Sequence, residues 1–414
     1  MFLGSFFCLD DYQFLRHHYG MNQNILDTKI GILGGGQLGR MLCLAGASWN
    51  LDISVLDSTD CPASGLCKNF VVGDINDYNN VLSFGRTVDV LTIEIEHVNI
   101  RALKELELEG VKVSPKPATL EIIKDKKLQK QFYKDNAIAS SNFSFYESKS
   151  KLLEDVNLDD TKDSPKGSNS KLSFPFVQKA CKGGYDGKGV VVIKDKNDLD
   201  NLLDCECIVE GMVDIAKELS VIIARNESGQ IQAYPVCEME FDPQSNLVQF
   251  LFTPANINTE IESECQKIAL DIVNKMDYVG ILAVELFLTK EGKILVNEIA
   301  PRTHNSGHHT IEGSVTSQFE QQLRAILNLP LGSTEFLKFT GMVNLVGEDG
   351  YEGEVKVEGL DKCLAIPEFH LHLYGKATTK PNRKMGHATI LADNFDEMQQ
   401  KADTVIRELK IISE

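Results

Sequence analysis

The sequence predicts an α/β fold, α+β in overall character, and three stretches carry that prediction. Residues 29–33 are a short apolar run, the turn Gly34-Gly35-Gly36-Gln37-Leu38-Gly39 follows, and a helix over 37–49 leads to a second apolar run at 53–56, a βαβ unit. Gly183, Gly184, Gly187 and Gly189 crowd one loop between two strand-like runs. Residues 282–289 and 294–299 read as a hairpin closed by Lys290-Glu291-Gly292-Lys293, with Gly292 free to take positive φ. A chain of 414 residues is long enough for two or three domains, a buried core and a cleft.

Composition narrows the function classes. Hydrophobic residues make up 43% and charged residues 25%, ordinary for a soluble globular protein. A formal net charge of −18 argues against non-specific nucleic-acid binding, because an acidic surface repels the phosphate backbone. It leaves room for a nucleotide, since a local basic site binds one phosphate ester on an acidic protein. The ten cysteines are scattered without a CxxC pair, which reads as reduced thiols in a cytoplasmic protein. No apolar run reaches the roughly 18 residues that a membrane-spanning helix needs.

Residues 1–27 read as a flexible extension; MFLGSFF is too short for a secretory segment, and Met21 offers an alternative start. Gly34, Gly36 and Gly39 fit GxGxxG, and Asp57 ends the second strand where a ribose-binding acid would lie. That pattern alone is weak, because the same glycines serve any phosphate at a helix N-terminus or simply tight strand–helix packing. Further alternation follows: strand 70–72, helix 77–86, strand 88–93, helix 99–109. Glu94, Glu96 and His97 lie at the C-terminal end of a strand, the ligand-binding edge of open α/β sheets. A lysine-rich helix is expected over 120–136, where Lys126 and Lys127 stand in what is usually a solvated charge run. Residues 147–173 read as a mobile polar surface insertion.

A strand over 174–180 carries Lys179, and CKGGYDGKGVVVI after it is a loop able to bring backbone N–H groups onto phosphate oxygens. It is not a Walker A loop, since no GK[ST] opens a helix. Strand 208–213 carries Glu210, strand 216–224 carries Glu218, and strands 230–236 and 247–252 precede a helix over 260–276. In the 282–299 hairpin, a two-residue loop at Glu291-Gly292 places Glu285 directly opposite Glu298, their Cβ atoms about 4.5–5.5 Å apart on one face. Facing carboxylates repel, so a cation belongs between them, and oxygen donors of this kind suit Mg²⁺. Arg302, His304 and Asn305 follow without helical or strand period and read as an anion site. His304, His308 and His309 lack companion cysteines and lie in a glycine-containing loop, which reads against zinc. After a helix over 315–327, strand 370–376 and the run 381–387 bring Lys376, Arg383 and Lys384 into one basic cluster, and an amphipathic helix covers 394–410.

Together these pieces resemble the ATP-grasp enzymes, specifically the N5-carboxyaminoimidazole ribonucleotide synthetases of purine biosynthesis. GILGGGQLGRML (31–42), TIEIEHV (92–98), KGGYDGKG (182–189), Glu210 with Glu218, NEIAPRTHNSGHHT (297–310), YGK (374–376) and RKMGH (383–387) carry the resemblance, which spans 28–412 in order. It does not extend to the carboxylase–mutase domain that follows such synthetases in fungal fusions. It implies an ATP-grasp fold: a Rossmann-like pre-ATP-grasp domain over 28–120, a flexible lid over 121–209, a catalytic core over 210–332 and a small β-rich substrate domain over 333–414. It implies that Lys126, Lys179, the loop Gly184, Tyr185, Asp186, Gly187, Lys188, Gly189 and Val190, then Glu210, Gly211, Met212, Val213, Glu218, Asn297 and Glu298, hold ATP. Glu285 and Glu298 are implied Mg²⁺ ligands.

Tyr185, Arg302, His304 and Lys376 are the implied catalytic group. Gln37, Leu38, Glu96, Asn305, Ser306, Arg383 and Lys384 join Arg302, His304 and Lys376 around aminoimidazole ribonucleotide and bicarbonate. The resemblance further implies a cytoplasmic homodimer. The chain departs from the family pattern in 174–182 and 237–246, which leaves open any nucleotide contact from 237–246. The remaining alternatives are another ATP-grasp ligase acting on a phosphorylated small molecule, a dinucleotide-dependent oxidoreductase resting on GxGxxG alone, and a non-catalytic nucleotide sensor.

Overall fold

The computed structural model describes residues 25–156, 172–184, 189–243, 245 and 247–414. The expectations for residues 1–24 and 157–171, and for Tyr185, Asp186, Gly187 and Lys188, lie outside the described residues. Five strands, β1 (Lys29–Leu33), β2 (Asp52–Asp57), β3 (Asn69–Val72), β4 (Val90–Ile93) and β5 (Lys112–Ser114), pair in parallel in the order β3-β2-β1-β4-β5. The order reverses between β1 and β4, so the ends of these two strands are the switch point at which open α/β sheets bind ligands. Their residues are fully buried apart from Lys29, as expected for a sheet covered by helices on both faces.

Four antiparallel strands, β6 (Phe143–Tyr146), β7 (Phe176–Ala180), β8 (Val190–Ile193) and β9 (Cys207–Gly211), form a second sheet in the order β6-β9-β7-β8. Strands β10 (Ile215–Arg225), β11 (Ile231–Ala233), β12 (Cys237–Phe241), β13 (Val248–Thr253), β14 (Gly280–Thr289) and β15 (Ile294–Ala300) begin a third. The tail adds β16 (Phe339–Val346), β17 (Gly353–Glu358), β18 (Phe369–Leu373), β19 (Thr378–Thr379), β20 (Lys384–Ala392) and β21 (Lys410–Ser413). Through β13–β16 pairing, β16, β20 and β18 extend the third sheet to nine strands, so the tail shares a backbone ladder with the core.

One face of the β10–β14–β15 ladder presents Leu219, Val221, Leu282, Val284, Leu286 and Val296 to helix Thr259–Lys275, whose Cys265, Ala269, Ile272 and Val273 are fully buried. The other face carries the charged residues of the site. Helix Gln318–Ile326 ties the first sheet to the third. Its Phe319 and Leu323 pack with the core of helix Gln37–Ala47, while the Gln322 amide accepts from Ile281 N–H at 2.6 Å and donates to Thr92 at 3.1 Å.

Two local expectations change. The helix expected over 120–136 is two, Pro117–Lys124 and Lys126–Asp135, broken at Asp125, whose extended backbone and carboxylate cap the second by accepting the Lys127 N–H at 2.9 Å. Where the polar insertion is expected to begin, Lys149–Asp155 is helix with Leu152 fully buried in the core of the second sheet; residues 157–171 of that stretch lie outside the described residues.

Candidate active site

The glutamate pair forms by a different route from the two-residue loop the sequence suggests. Thr289 N–H donates to Lys293 O and Gly292 N–H to Thr289 O, both at 2.9 Å, so the turn holds three residues with Gly292 at φ 81°. Leu288 therefore faces Ile294 and Leu286 faces Val296, one position off the simple count. A β-bulge at Asn297 then restores the register, and Glu285 faces Glu298. Because the bulge interrupts the alternation, Asn297 and Glu298 both leave the apolar face, while Val296 and Ile299 stay buried.

Lys126, at the first position of its capped helix, donates to Glu298 Oε2 at 2.7 Å and holds that carboxyl well below its usual range. Glu285 moves the other way: burial and the negative Glu298 and Glu218 push its carboxyl up, with the Asn297 amide at 3.4 Å in partial compensation. Glu218, on the same face of β10, is pushed up to about 7 by burial. The cluster thus holds more carboxylates than Lys126 neutralises. Two facing carboxylates beside an amide oxygen are hard donors that fit a divalent cation.

Lys179 bridges the second and third sheets. Its ammonium donates to Asn297 Oδ1 at 3.0 Å and pairs with Glu210 Oε2 at 2.8 Å. Lys130 pairs with Glu210 Oε1 at 2.5 Å and donates to Ser141 at 3.0 Å, with its side chain only 3% exposed. Burial opposes ionisation of Glu210, yet the two ammonium groups hold its carboxyl below the usual range. Gly211 and Met212 emerge exposed just beyond Glu210, and Gly184 and Val190 flank the glycine loop.

A second group lies at the switch point. Arg302 grips Glu96 with two N–H groups, at 3.0 and 2.9 Å, and offsets the burial that disfavours the Glu96 anion. His304 Nε2 lies 3.6 Å from Glu285 Oε1, which joins this group to the carboxylate cluster. Lys376 crosses from the tail to the first sheet's turn, donating to Gln37 Oε1 at 3.3 Å and to Lys384 O at 2.6 Å. Arg383 bonds Thr378 instead, at 2.6 and 2.8 Å. Leu38 is buried in the core, and Ser306, 1% exposed, sits behind His304 rather than beside Asn305 on the accessible side.

The glycine-rich turn is closed to a dinucleotide phosphate by the chain itself. Glu94 Oε2 accepts the N–H groups of Leu38 and Gly39 at 3.1 and 3.0 Å, the donors a pyrophosphate would need. A Cβ at Gly34 or Gly36 would lie 2.5 or 2.6 Å from Glu94 atoms, so these glycines make room for the carboxylate. Asp57, the expected ribose acid, accepts the Gly35 N–H at 2.6 Å.

Sequence reasoning misses Lys130 and Ser220. Each had a signal: Lys130 stands one helical turn after Lys126, and Ser220 two residues after Glu218 on the same strand face. A flanking array of rings also escapes it. His372 stacks on His387 (centroids 4.4 Å) and His387 on His308 (4.6 Å), so the tail's strands grip the 304–310 loop through imidazoles.

Lys126 paired with one of two facing carboxylates on an antiparallel sheet, and Lys179 with Glu210 supplied beside them by a second antiparallel sheet, are the arrangement of an ATP-grasp ligase. The ATP-grasp domain model matches residues 145–319, the ribonucleotide synthetase preATP-grasp domain model 27–124, and the phosphoribosylaminoimidazole carboxylase C-terminal domain model 340–401. The chain belongs to the N5-carboxyaminoimidazole ribonucleotide synthase family. It is similar to the crystal structure of the synthetase from Thermotoga maritima, 42% identical with a TM-score of 0.83, covering 94% of this chain and 100% of that one. The Bacillus subtilis synthase is 34% identical over 90% of this chain and 93% of its own length. The Aspergillus clavatus synthase in complex with ADP and 5-aminoimidazole ribonucleotide is 29% identical with a TM-score of 0.81, covering 92% of this chain and 99% of that one. The chain spans about two thirds of the length of fungal and plant relatives named phosphoribosylaminoimidazole carboxylase. No helix among the described residues is long and apolar enough to cross a membrane.

Proposed function

We propose that this chain carboxylates 5-aminoimidazole ribonucleotide with bicarbonate at the expense of ATP, giving N5-carboxyaminoimidazole ribonucleotide, ADP and phosphate in purine biosynthesis. One observation carries the reading: Lys179 meets Asn297, whose amide reaches Glu285, and His304 lies 3.6 Å from Glu285 and two residues from the Arg302–Glu96 pair, while Lys376 bonds Gln37 at the first sheet's turn. This arrangement joins a phosphate-binding set to an anion-binding set.

In this reading residues 28–120 and 333–414 hold the ribonucleotide, 121–209 cover ATP and 210–332 carry the chemistry. Lys126 and Lys179 hold the phosphates, and Glu210, Gly211, Met212, Val213 and Glu218 face the nucleoside. Glu285 and Glu298 hold Mg²⁺, which supplies charge neutralisation to the transferring phosphoryl group. A bicarbonate oxygen attacks the γ-phosphorus as the bond to ADP breaks, forming carboxyphosphate. Water that would hydrolyse it must be excluded, the part the family resemblance gives to the glycine-rich loop, of which residues 185–188 lie outside the described residues. Arg302 and His304 hold the carboxyl oxygens while the exocyclic amine bonds to carbon, losing a proton, and phosphate leaves. Gln37, Leu38, Glu96, Asn305, Ser306, Lys376, Arg383 and Lys384 form the surround of the ribonucleotide. We place the enzyme in the cytoplasm as a homodimer.

The test is ADP release with Mg-ATP and bicarbonate, with and without the ribonucleotide. Strong stimulation with one phosphate per ADP is expected; no stimulation despite tight Mg-ATP binding overturns the substrate. Glu298→Ala, which also strips Lys126 of its partner, should abolish ADP release, and near-normal turnover would remove Glu298 from the metal site.

A further inference from the structure

We infer that His304 acts as a neutral hydrogen-bond donor, its proton fixed on Nε2 by the Ser306 backbone N–H at Nδ1 and the ring held by a relay of two buried serine hydroxyls, Ser306 and Ser220. The backbone N–H of Ser306 points at His304 Nδ1 from 3.3 Å, and the Ser306 hydroxyl lies 2.8 Å away. A backbone N–H can only donate, so Nδ1 presents its lone pair. A neutral imidazole with a bare Nδ1 carries its proton on Nε2.

The hydroxyl chain then runs one way. Ser306 spends its proton on Nδ1, so Ser220, whose Oγ is 2.8 Å from Ser306 Oγ, must donate to it. Both serines are 1% exposed, so water does not compete for these bonds. Ser220 lies on β10 directly opposite Glu285, which places the relay on the face that carries the carboxylates.

The ring is held from its backbone as well. The Gln318 side chain accepts the His304 N–H at 2.9 Å and donates to its carbonyl at 2.7 Å. A Cβ at Gly307 would lie 2.4 Å from Gln318 Oε1, so glycine there lets the amide approach. With Nδ1 tied back, Nε2–H faces the site. Its neighbour Glu285 Oε1 is 3.6 Å away, beyond hydrogen-bond reach, which leaves the proton for a substrate oxygen. His304 is therefore a donor to the oxyanion of the carboxyl group in transfer, and the proton lost by the attacking amine goes to another acceptor. Ser306 and Ser220 are positioning residues.

The role of the donor rests on the proposed carboxylation; the position of its proton rests on the hydrogen bonds alone, so the two fail separately. Histidine-selective ¹⁵N NMR on the full chain at neutral pH reads the tautomer directly, with the His304 signals assigned by their loss in His304→Gln. The neutral Nε2–H pattern is expected; an Nδ1–H or imidazolium pattern overturns the inference whatever the enzyme's substrate. Kinetics read the role. His304→Gln places an amide N–H where Nε2–H was and should keep kcat within roughly tenfold, whereas His304→Asn places it at the Nδ1 position and should lose about 10²–10³-fold, the usual cost of one oxyanion donor. Equal losses in both variants overturn the donor role. Ser306→Ala removes the hydroxyl but keeps the backbone N–H at Nδ1, so the Nε2–H signal should persist while kcat falls without a rise in the KM for ATP; an unchanged kcat in that variant overturns the part assigned to the serines.

Discussion

Lys130 illustrates how much one buried side chain carries. It and Lys179 share a single carboxylate, Glu210, with side-chain exposures of 3%, 13% and 5%. Burial pulls the Lys130 ammonium down and Glu210 opposes the pull. Removing one partner of a buried pair leaves a charge without compensation, which typically costs about 3–5 kcal/mol. Lys130→Met should therefore lower the urea midpoint and raise the KM for ATP, because Lys179 is drawn further onto Glu210. An unchanged midpoint would mean that Glu210 has found water.

The buried histidines make stability depend on pH. Burial holds His308 and His387 well below the ordinary value and lowers His309 to about 4. In the unfolded chain each titrates near about 6.5. Below that pH the unfolded state binds more protons than the folded one, so stability is intact above pH 6.5 and is lost as pH falls. Each group contributes up to about 1.4 kcal/mol per pH unit of loss, the three together roughly 4. Denaturant midpoints should drop between pH 7 and 5. His387→Phe, which keeps a ring between His372 and His308, should lose less stability over this range than the unaltered chain, by up to about 1.4 kcal/mol per pH unit.

At the scale of the element, the hairpin shows two departures that cancel. The loop holds one residue more than the simple count, and the bulge at Asn297 inserts one more on β15, so Glu285 and Glu298 meet as the count demands. Register at the carboxylates is thus set by the bulge and by the buried Val284, Leu286, Val296 and Ile299, not by the turn alone. Gly292 occupies left-handed backbone with open space around its α-carbon, so Gly292→Ala meets only the backbone penalty of about 1 kcal/mol. It should lower the melting temperature by a few degrees at most and leave ADP release unchanged. A large loss of turnover would place control of the register in the turn.

The lysine helix carries the same lesson. Asp125 followed by Lys126 and Lys127 contains a capping signal, and the cap places Lys126 at a helix start pointing to Glu298. The apolar period runs through the break, which is why one continuous helix is the natural sequence reading.

For the molecule as a whole, the sheets are coupled by the groups that make the site. Lys126 and Glu298 are 172 residues apart, Arg302 and Glu96 are 206 apart, and Lys376 and Gln37 are 339 apart. A ligand bridging these groups should stabilise the entire fold. Mg-ATP at about 100 times its Kd is expected to add roughly 2.7 kcal/mol. The shift in unfolding midpoint should disappear with chelator or in Glu298→Ala, and persistence in both would place nucleotide binding elsewhere.

The sequence by itself determined the periodic elements, the turn residues and the chemical types at the site, including the facing glutamates and the Arg302–His304 segment. Those features are local: period, turn chemistry and cross-strand count act over a few residues. Only the tertiary structure decided which charges lose their water and which partner each one finds. The GxGxxG turn reads as an anion site until Glu94 arrives from β4 to fill it. Lys130 reads as one of many surface lysines until β9 brings Glu210 against it. The tail reads as a separate unit until β13 pairs with β16. Desolvation and ion pairing depend on atoms far along the chain, and no window of sequence contains them.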